Sequence, residues 1–348
     1  RNDDYATSLW DRYYPSAVKE IEDIRAQLTA EGNTGSEMGM TRILRVYIYS
    51  RLTDLHGDVP YSEAGQGYIN GILKPKYDAQ KDIYMDFLKE LEEAVAQIGA
   101  STTLGVSDLV FQGDTAKWKA WGNSMMLRLA MRLSKVDAAT AQAWAEKAAP
   151  NTMTSNDHIA MIAHTDGPEG INKNGHGEVF DADDNPRMSK TFVDWLKDDP
   201  RLPILAARRS DGSTAIADLI GMPNGSTGVT VPDTSIYAEP NRNVITGRAV
   251  PMVLQTYAEV RLLKAEMAQR GWSVTGSAQA HYDAGVKAAM QMLSGIYPNA
   301  AAITDDEVTA YLAAKPYDAS KGLQMIGEQY WAATLLNEYE AFSNWRRT

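Results

Sequence analysis

The chain has 348 residues, of which 44% are hydrophobic and 23% are charged, a composition that suits a globular protein with a large core. Its formal net charge is −11, and Lys and Arg are scattered among acidic residues, so we expect no nucleic-acid partner. The absence of cysteine excludes disulfides and thiol catalysis, and no run of about 20 apolar residues marks a membrane-spanning helix.

Hydrophobic periodicity predicts helices in the first third of the chain. In residues 77–98, apolar side chains recur every four residues from Ile83 to Val95, with acids on the opposite face. The same pattern predicts a helix over 40–55 and a weaker one over 10–28. Asp114 is a typical N-cap residue and predicts the start of another helix, which runs to about Ser134.

The character of the sequence changes between residues 150 and 243. Gly, Pro, Asn and Asp interrupt every long periodic run there, so we expect a large loop region. Its best helix candidate covers 189–197, with Ser189 as the capping residue.

Helical periodicity returns in the last third of the chain. Pro251 suits a first helical turn, and the pattern continues to Gly271, a residue type that ends helices. A second helix is expected over 277–293, joined by a short turn, so that the two pack antiparallel as a tetratricopeptide-like unit without strict repeats. One last helix is expected over about 322–345.

Six segments, in order along the chain, carry a resemblance to a known family. They are YIYSRLTDLHGDVPYSEA (47–64), YDAQKDIY (77–84), NPRMSKTFVDWLKDDPRLPI (185–204), GMPNG (221–225), TYAEVRLLKAEMAQRGW (256–272) and EYEAFSNWRRT (338–348). On these motifs the chain resembles the SusD/RagB family, and within it the SusD-like nutrient-binding lipoproteins of the Bacteroidetes outer membrane.

The resemblance implies a mainly α fold, in which tetratricopeptide-like helix pairs form a scaffold for a loop-rich, ligand-facing region. We expect one SusD-like domain over 1–348, with the scaffold at about 1–149 and 248–348 and the loop-rich excursion at about 150–247. The implied function is to bind an oligosaccharide or polysaccharide at the cell surface, without catalysis, and to deliver it to a SusC-like TonB-dependent transporter in the outer membrane. Membrane contact is expected only through an N-terminal lipid anchor on the full-length precursor.

Sugar recognition uses exposed aromatic rings that stack on pyranose faces, next to polar side chains that bind the hydroxyls. Aromatic residues in loops or at helix starts are therefore the candidates. With their polar neighbours, the predicted ligand-binding residues are Trp10, Tyr14, Tyr61, Tyr68, Tyr237, Asn241 and Arg242. The tryptophans inside helical patterns are expected in the core, namely Trp118, Trp121, Trp144 and Trp331.

Metal ligation is considered at two places. The segment DADDN (181–185) begins like a calcium loop, but an EF-hand needs Gly at its sixth position and Glu at its twelfth, where this chain has Pro186 and Phe192. We therefore favour a hydrated acidic turn over a structural calcium site. The five histidines show no zinc-ligand spacing, so we expect no metal and no cofactor.

The most family-specific strings are interpreted as scaffold. In GDVPYSEA, Gly57 permits an unusual backbone angle and Pro60 stiffens the exit from a helix, although Tyr61 is kept as a ligand candidate. In NWRRT, the two arginines suit hydrogen bonding between helices better than ligand recognition.

Two other functions stay open at this stage. A helical glycoside hydrolase or lyase needs two carboxylates across the scissile bond, and 45 acidic residues offer many pairs without a recognisable catalytic context. A tetratricopeptide-type scaffold for peptides or proteins would show a peptide-sized groove and no affinity for sugar. The long loop region argues against that scaffold, because helical repeats seldom carry such loops.

Overall fold

The computed structural model describes residues 3–167, 172–183, 185–225 and 233–348, with side chains from residue 7 onward. The chain forms two compact units. Unit one comprises Arg1–Ala160, Gln255–His281 and Gly322–Thr348, and unit two comprises Met161–Leu254 and Tyr282–Lys321. The expectation of one domain over 1–348 stays a prediction.

The fold is mainly helical, as predicted. In chain order the helices are α1 (Asp3–Tyr13), α2 (Lys19–Ala30), α3 (Ser36–His56), α4 (Gly67–Asn70), α5 (Gln80–Gln97), α6 (Thr115–Arg132), α7 (Ala138–Ala148), α8 (Gly175–Ala182), α9 (Lys190–Trp195), α10 (Leu202–Leu205), α11 (Tyr257–Gln269), α12 (Ala278–Ile296), α13 (Asp305–Ala314), α14 (Gly322–Ala333) and α15 (Glu338–Arg347). A π-helical turn, Tyr14–Val18, joins α1 to α2.

The strands in the described part of the chain are short. They are β1 (Val59–Pro60), β2 (Tyr77–Asp78), β3 (Ala160–Ile162), β4 (Ala206–Arg208), β5 (Ala238–Pro240) and β6 (Met252–Gln255), paired as β1–β2, β3–β6 and β4–β5. Strands β1 and β2 are antiparallel, with Val59 opposite Asp78 and Pro60 opposite Tyr77.

The core of unit one is built on α3, α5 and α6. Helix α3 packs against α5 and α5 packs against α6, while α2 covers α3, α7 covers α6 and α11 packs against α14. Trp118 and Trp121 of α6 are buried in this core, as predicted, and Trp118 Nε1 donates a 2.6 Å hydrogen bond to Asp108. Asp114 accepts a 3.0 Å bond from the backbone N–H of Lys117, which confirms it as the N-cap of α6.

The predicted start of the helix after Pro251 is wrong. Residues Met252–Gln255 form β6, and α11 begins at Tyr257 because Thr256 and Glu259 form a capping box. The predicted end is confirmed: Gly271 has a φ of +75° and follows the last turn directly. The pairing of α11 with α12 stays a prediction.

The single last helix predicted over 322–345 is also wrong, because two helices occupy this stretch. Helix α14 ends at Ala333 and α15 begins at Glu338, and between them Leu336 has a φ of +65°. This turn lets Tyr330 of α14 donate a 2.6 Å hydrogen bond to Glu340 of α15. Apolar periodicity alone does not reveal such a break, since both helices continue the same pattern.

A network of buried charges joins the helices of unit one. Glu340 accepts hydrogen bonds of 2.9 and 2.6 Å from Arg132 and also forms an ion pair with Arg128. Arg128 in turn donates a 2.5 Å bond to Glu259. Burial alone would raise the pKa of Glu340, but the two guanidinium groups hold it to about 2. Glu340 is therefore charged in the folded protein at neutral pH.

The C-terminal arginines confirm the scaffold interpretation of NWRRT. Arg347 donates hydrogen bonds of 2.8 and 2.7 Å to the two carboxylate oxygens of Glu266, and both residues are buried. Arg346 donates a 2.7 Å bond to the carbonyl of Asp54. The motif thus ties α15 to α11 and α3.

Unit two confirms the helix predicted at 189–197 in a shorter form. Ser189 caps α9 by accepting a bond from the N–H of Phe192, and its backbone forms a bridge with Met222. A Cβ added to Gly221 would lie 2.4 Å from Cα of Lys190, so only glycine allows the two segments to come this close. Gly221 of the GMPNG string is therefore required by packing within unit two.

The buried His281 should make the stability of unit one depend on pH in the acid range. Its Nε2–H donates a 2.9 Å bond to the carbonyl of Thr275, while Nδ1 has no partner among the described residues. Burial, reinforced by the charge of Arg261, lowers the pKa of His281 from 6.5 to about 4. Between these values the unfolded chain binds a proton that the folded chain does not, so stability is lost as the pH falls from about 6.5 to 4.

In His281→Gln the side-chain amide can keep the bond to Thr275 but binds no proton. We expect this variant to lose about 1–3 kcal/mol less free energy of unfolding than the wild type when the pH is lowered. Urea unfolding between pH 7 and pH 4 measures the effect, with His158→Gln as the control for loss of a histidine. Equal pH dependence in the wild type and in His281→Gln would show that another group is responsible.

Candidate functional site

Trp10 lies on α1, and Tyr14 lies one turn later, at the first residue of the π turn. Helix α1, the π turn and α2 follow one another without a break from Asp3 to Ala30, which confirms the helix predicted over 10–28. The π turn, which contains Pro15, was not predicted. Such turns change the helical repeat locally and are frequent at functional sites.

Residues 58–79, which we call the covering segment, lie along this helix. Tyr14 Oη donates a 2.8 Å hydrogen bond to the carbonyl of Pro60, and β1 pairs with β2 to close the two ends of the segment. Gly65 has a φ of +70°, and a Cβ added there would lie 2.8 Å from Cγ of Glu22 in α2. Glycine is therefore needed for both the backbone angle and the close approach.

Four aromatic rings meet where the covering segment returns to the first helix. The ring centroid of Trp10 lies 4.6 Å from that of Tyr14, 5.4 Å from that of His56 and 6.0 Å from that of Tyr77. The rings of Trp10 and Tyr77 are nearly parallel, at 22°, and Tyr77 is 63% exposed. We call Trp10, Tyr14, His56 and Tyr77 the aromatic platform.

The platform combines predicted residues with one that sequence reasoning missed. Trp10 and Tyr14 were predicted as ligand contacts, whereas Tyr77 was read only as part of a family motif at the entry to a helix. Its position follows from the pairing of β2 with β1, which places Tyr77 opposite Pro60 and beside Trp10. Strands of two residues are too short to show a hydrophobic period, so no pattern in the sequence predicts this arrangement.

The covering segment exposes two more large side chains. Tyr68 of α4 is 92% exposed, and Leu73 also faces solvent. Together with Tyr77 they give this segment three large exposed side chains. Exposed apolar surface of this kind is a feature of binding sites.

The carboxylates of the covering segment hold its shape. Asp78 accepts a 2.7 Å bond from the N–H of Ser62, Asp58 accepts a 2.9 Å bond from the N–H of Gln80, and Glu63 accepts a 3.0 Å bond from a backbone N–H. Burial alone would raise the pKa of Asp78, but the bonds from Ser62 lower it below its ordinary value. These acids act as backbone caps.

The two ionisable groups at the base of the platform are neutral at pH 7. Burial raises the pKa of the Tyr14 hydroxyl above its ordinary value, with the nearby Tyr77 and Asp78 adding to the effect. Burial lowers the pKa of His56 below its ordinary value. The platform therefore offers ring surface without charge, which suits a ligand with apolar faces.

Tyr61 is removed from the set of ligand contacts. Its ring is only 5% exposed, its hydroxyl donates a 2.5 Å bond to Asp86, and Arg45 donates to the same oxygen at 2.5 Å. Arg45 in turn binds Glu22 at 2.6 Å. A ligand cannot reach the ring without breaking this buried network.

Three of the predicted ligand-binding residues lie in unit two, namely Tyr237, Asn241 and Arg242. Asn241 and Arg242 form hydrogen bonds with the backbone of loops there. Asn241 is buried and accepts a 3.2 Å bond from the N–H of Asn243. Arg242 donates to the carbonyls of Phe180 and Asp183, the latter at 3.0 Å. Tyr237 is half-buried. The role of these three residues in ligand binding stays a prediction.

The acidic turn at 181–185 is only partly described, because residue 184 lies outside the described ranges. Asp181 pairs with Arg248, and Asp183 accepts 2.8 Å bonds from the backbone and side chain of Asn185. The described residues contain no group of three or more His, Asp or Glu side chains placed to hold a metal ion. The interpretation as a hydrated turn stays a prediction.

A cleft of about 900 Å³ lies elsewhere in unit one, between α14 and α15. It is lined by Trp331, Phe342 and Trp345, and Trp345 is 74% exposed. The prediction that Trp331 belongs to the core is wrong, because this side chain is 38% exposed at the cleft. The exposed rings of this cleft provide a comparison for those of the aromatic platform.

Comparison with known proteins settles the family. Residues 1–348 match the SusD-like family model described as "Starch-binding associating with outer membrane". The chain belongs to the SusD-like family. A solved structure titled "chitin-binding protein" is 34% identical to this SusD-like chain, with a TM-score of 0.88 over 99% of this chain and 76% of that one.

Other solved SusD-like structures show the same fold. One titled "Bacteroidetes AC2a SusD-like" is 27% identical, with a TM-score of 0.86 over 99% of this chain and 79% of that one. A chitin-binding SusD homolog from Flavobacterium johnsoniae is 24% identical, with a TM-score of 0.79 over 97% and 73% of the two chains. A search of the curated proteins finds no match. None of the described helices has the length and apolar character that a membrane span requires.

Proposed function

We propose that this SusD-like protein binds glycan fragments at the aromatic platform and releases them unchanged. The observation that carries the proposal is the near-parallel arrangement of Trp10 and the exposed Tyr77, at 6.0 Å between centroids. Flat, uncharged rings of this kind stack on the apolar faces of pyranoses. Family membership supports the proposal, because the family description names starch and the 34% identical relative is titled as chitin-binding.

The same reasoning extends to location and partner. The family description names association with the outer membrane. We therefore place the protein at the cell surface, held by an N-terminal lipid anchor on the precursor, where it passes its glycan to a SusC-like TonB-dependent transporter.

The acids near the platform favour binding over hydrolysis. A glycoside hydrolase needs a carboxylic acid with a raised pKa to protonate the leaving group. The pKa of Asp78 is instead lowered, and Asp58 and Glu63 accept bonds from backbone N–H groups. These three side chains therefore suit a fixed loop better than proton transfer.

Titration calorimetry with oligosaccharides of starch and of chitin tests the proposal, followed by chromatography of each sugar after long incubation. We expect saturable binding of one of these glycan classes and no change in the chain length of the sugar. Release of shorter oligosaccharides would instead support the helical hydrolase or lyase. Binding of peptides without affinity for either glycan would support the peptide scaffold.

A further inference from the structure

A second, smaller pocket lies beside the tip of the covering segment. It has a volume of about 300 Å³ and is formed by α2 on one side and α4 on the other. The residues that matter for its chemistry are Arg25, Ala26, Thr29, Ala30, Ile69 and Asn70. The pocket lies in unit one, on the same continuous helix that carries the aromatic platform.

The pocket places an apolar wall beside one donor and one acceptor. Ala26, Ala30 and Ile69 supply the apolar wall. Arg25 uses Nε and Nη2 to bind Glu22 at 2.9 and 2.7 Å, and its Nη1 makes no hydrogen bond among the described residues. Asn70, which is exposed, donates its Nδ2–H to Gln66 at 3.0 Å, which leaves its Oδ1 available as an acceptor.

We propose that this pocket binds the acetamido group of an N-acetylated amino sugar. Such a group has a methyl, a carbonyl acceptor and an N–H donor. The methyl packs on Ala26, Ala30 and Ile69, the carbonyl accepts from Arg25, and the N–H donates to Asn70. A hydroxyl at the same position of the sugar would leave the apolar wall uncovered and one polar partner unused.

The inference rests on the proposed function and adds a length requirement to it. Trp10 and Arg25 are 15 residues apart on the helix, which corresponds to about 22 Å at 1.5 Å per residue. One sugar ring cannot span this distance. An oligosaccharide stacked on the platform can reach the pocket only through several linked rings, so affinity should rise with chain length until both sites are filled.

Calorimetry with chitohexaose and cellohexaose tests the pocket, because the two β-1,4-linked hexamers differ in the acetamido group. We expect the wild type to bind chitohexaose at least about tenfold more tightly. Ala26→Leu fills the pocket and Asn70→Ala removes the acceptor, and each should reduce this preference to about twofold or less, with chitohexaose losing more affinity than cellohexaose. Gln27→Leu, at the neighbouring exposed position of α2, is the control and should keep the preference.

The outcomes separate this inference from the proposed function. Equal binding of both hexamers by the wild type, or a preference that survives in Ala26→Leu and Asn70→Ala, would overturn the pocket assignment. An equal loss for both hexamers in these variants would overturn it as well, since the pocket would then not read the acetamido group. If both hexamers bind equally and Tyr77→Ala weakens both, the glycan function stands without the pocket. Absence of binding to either hexamer overturns the pocket assignment, and absence of binding to starch oligomers as well overturns the proposed function.

Discussion

Replacing Glu340 by alanine is expected to lower the free energy of unfolding by about 3–5 kcal/mol. Glu340 is buried and accepts hydrogen bonds of 2.9 and 2.6 Å from Arg132 and of 2.6 Å from Tyr330. Among the acids of the described residues, its removal leaves buried Arg132 with Asp54, at 3.4 Å, and takes from Arg128 one of its two carboxylate neighbours, so that Glu259 remains. An uncompensated buried charge costs more than the ion pair itself contributes.

Urea unfolding at neutral pH measures this loss. Glu340→Gln keeps the shape and one acceptor oxygen but removes the charge, so it should be destabilised less than the alanine variant. Glu31→Ala, at an exposed position, is the control and should change stability by no more than about 0.5 kcal/mol. A loss below about 1 kcal/mol for Glu340→Ala would mean that the network does not hold α6, α11, α14 and α15 together.

Replacing Tyr77 by alanine is expected to weaken glycan binding by at least about tenfold, which corresponds to 1.4 kcal/mol. Tyr77 is 63% exposed and stacks on Trp10, so its loss removes ring surface from the ligand without opening the core. Trp10→Ala should weaken binding at least as much, because Trp10 also supports Tyr14 and His56. Melting temperatures should show that Tyr77→Ala remains folded.

Trp345→Ala is the matched control for this experiment. Trp345 is 74% exposed and lies at the 900 Å³ cleft, away from the covering segment in the sequence. Removing it takes away a similar exposed ring, yet binding should be unchanged. Loss of binding in Trp345→Ala with full binding in Tyr77→Ala would place the glycan at the cleft and refute the platform.

The helical part of the fold could be predicted because its signals are local. Asp114 and Ser189 cap α6 and α9 at the predicted places, and Gly271 ends α11. The wrong helix boundaries lie where two local signals compete or where the sequence contains no residue typical of a helix end. The capping box of Thr256 and Glu259 overrode Pro251, and the left-handed turn at Leu336 has no glycine to mark it.

The candidate site was predictable only in part. Trp10 and Tyr14 were predicted as ligand contacts because aromatic residues at a helix start had no core stripe to join, and their rings lie together in the structure. Tyr77 was missed because its exposure depends on the pairing of two-residue strands 17 residues apart, Pro60 with Tyr77. Tyr61 was wrongly kept because its burial depends on Arg45 and Asp86, and such long-range partners leave no pattern in the sequence.

The most direct test of the central claim is a crystal structure of the protein soaked with the oligosaccharide that binds in calorimetry. We expect density for a sugar ring stacked on Tyr77 and Trp10, at the return of the covering segment. Density for the sugar only at the cleft lined by Trp331 and Trp345, or only within unit two, would contradict the account.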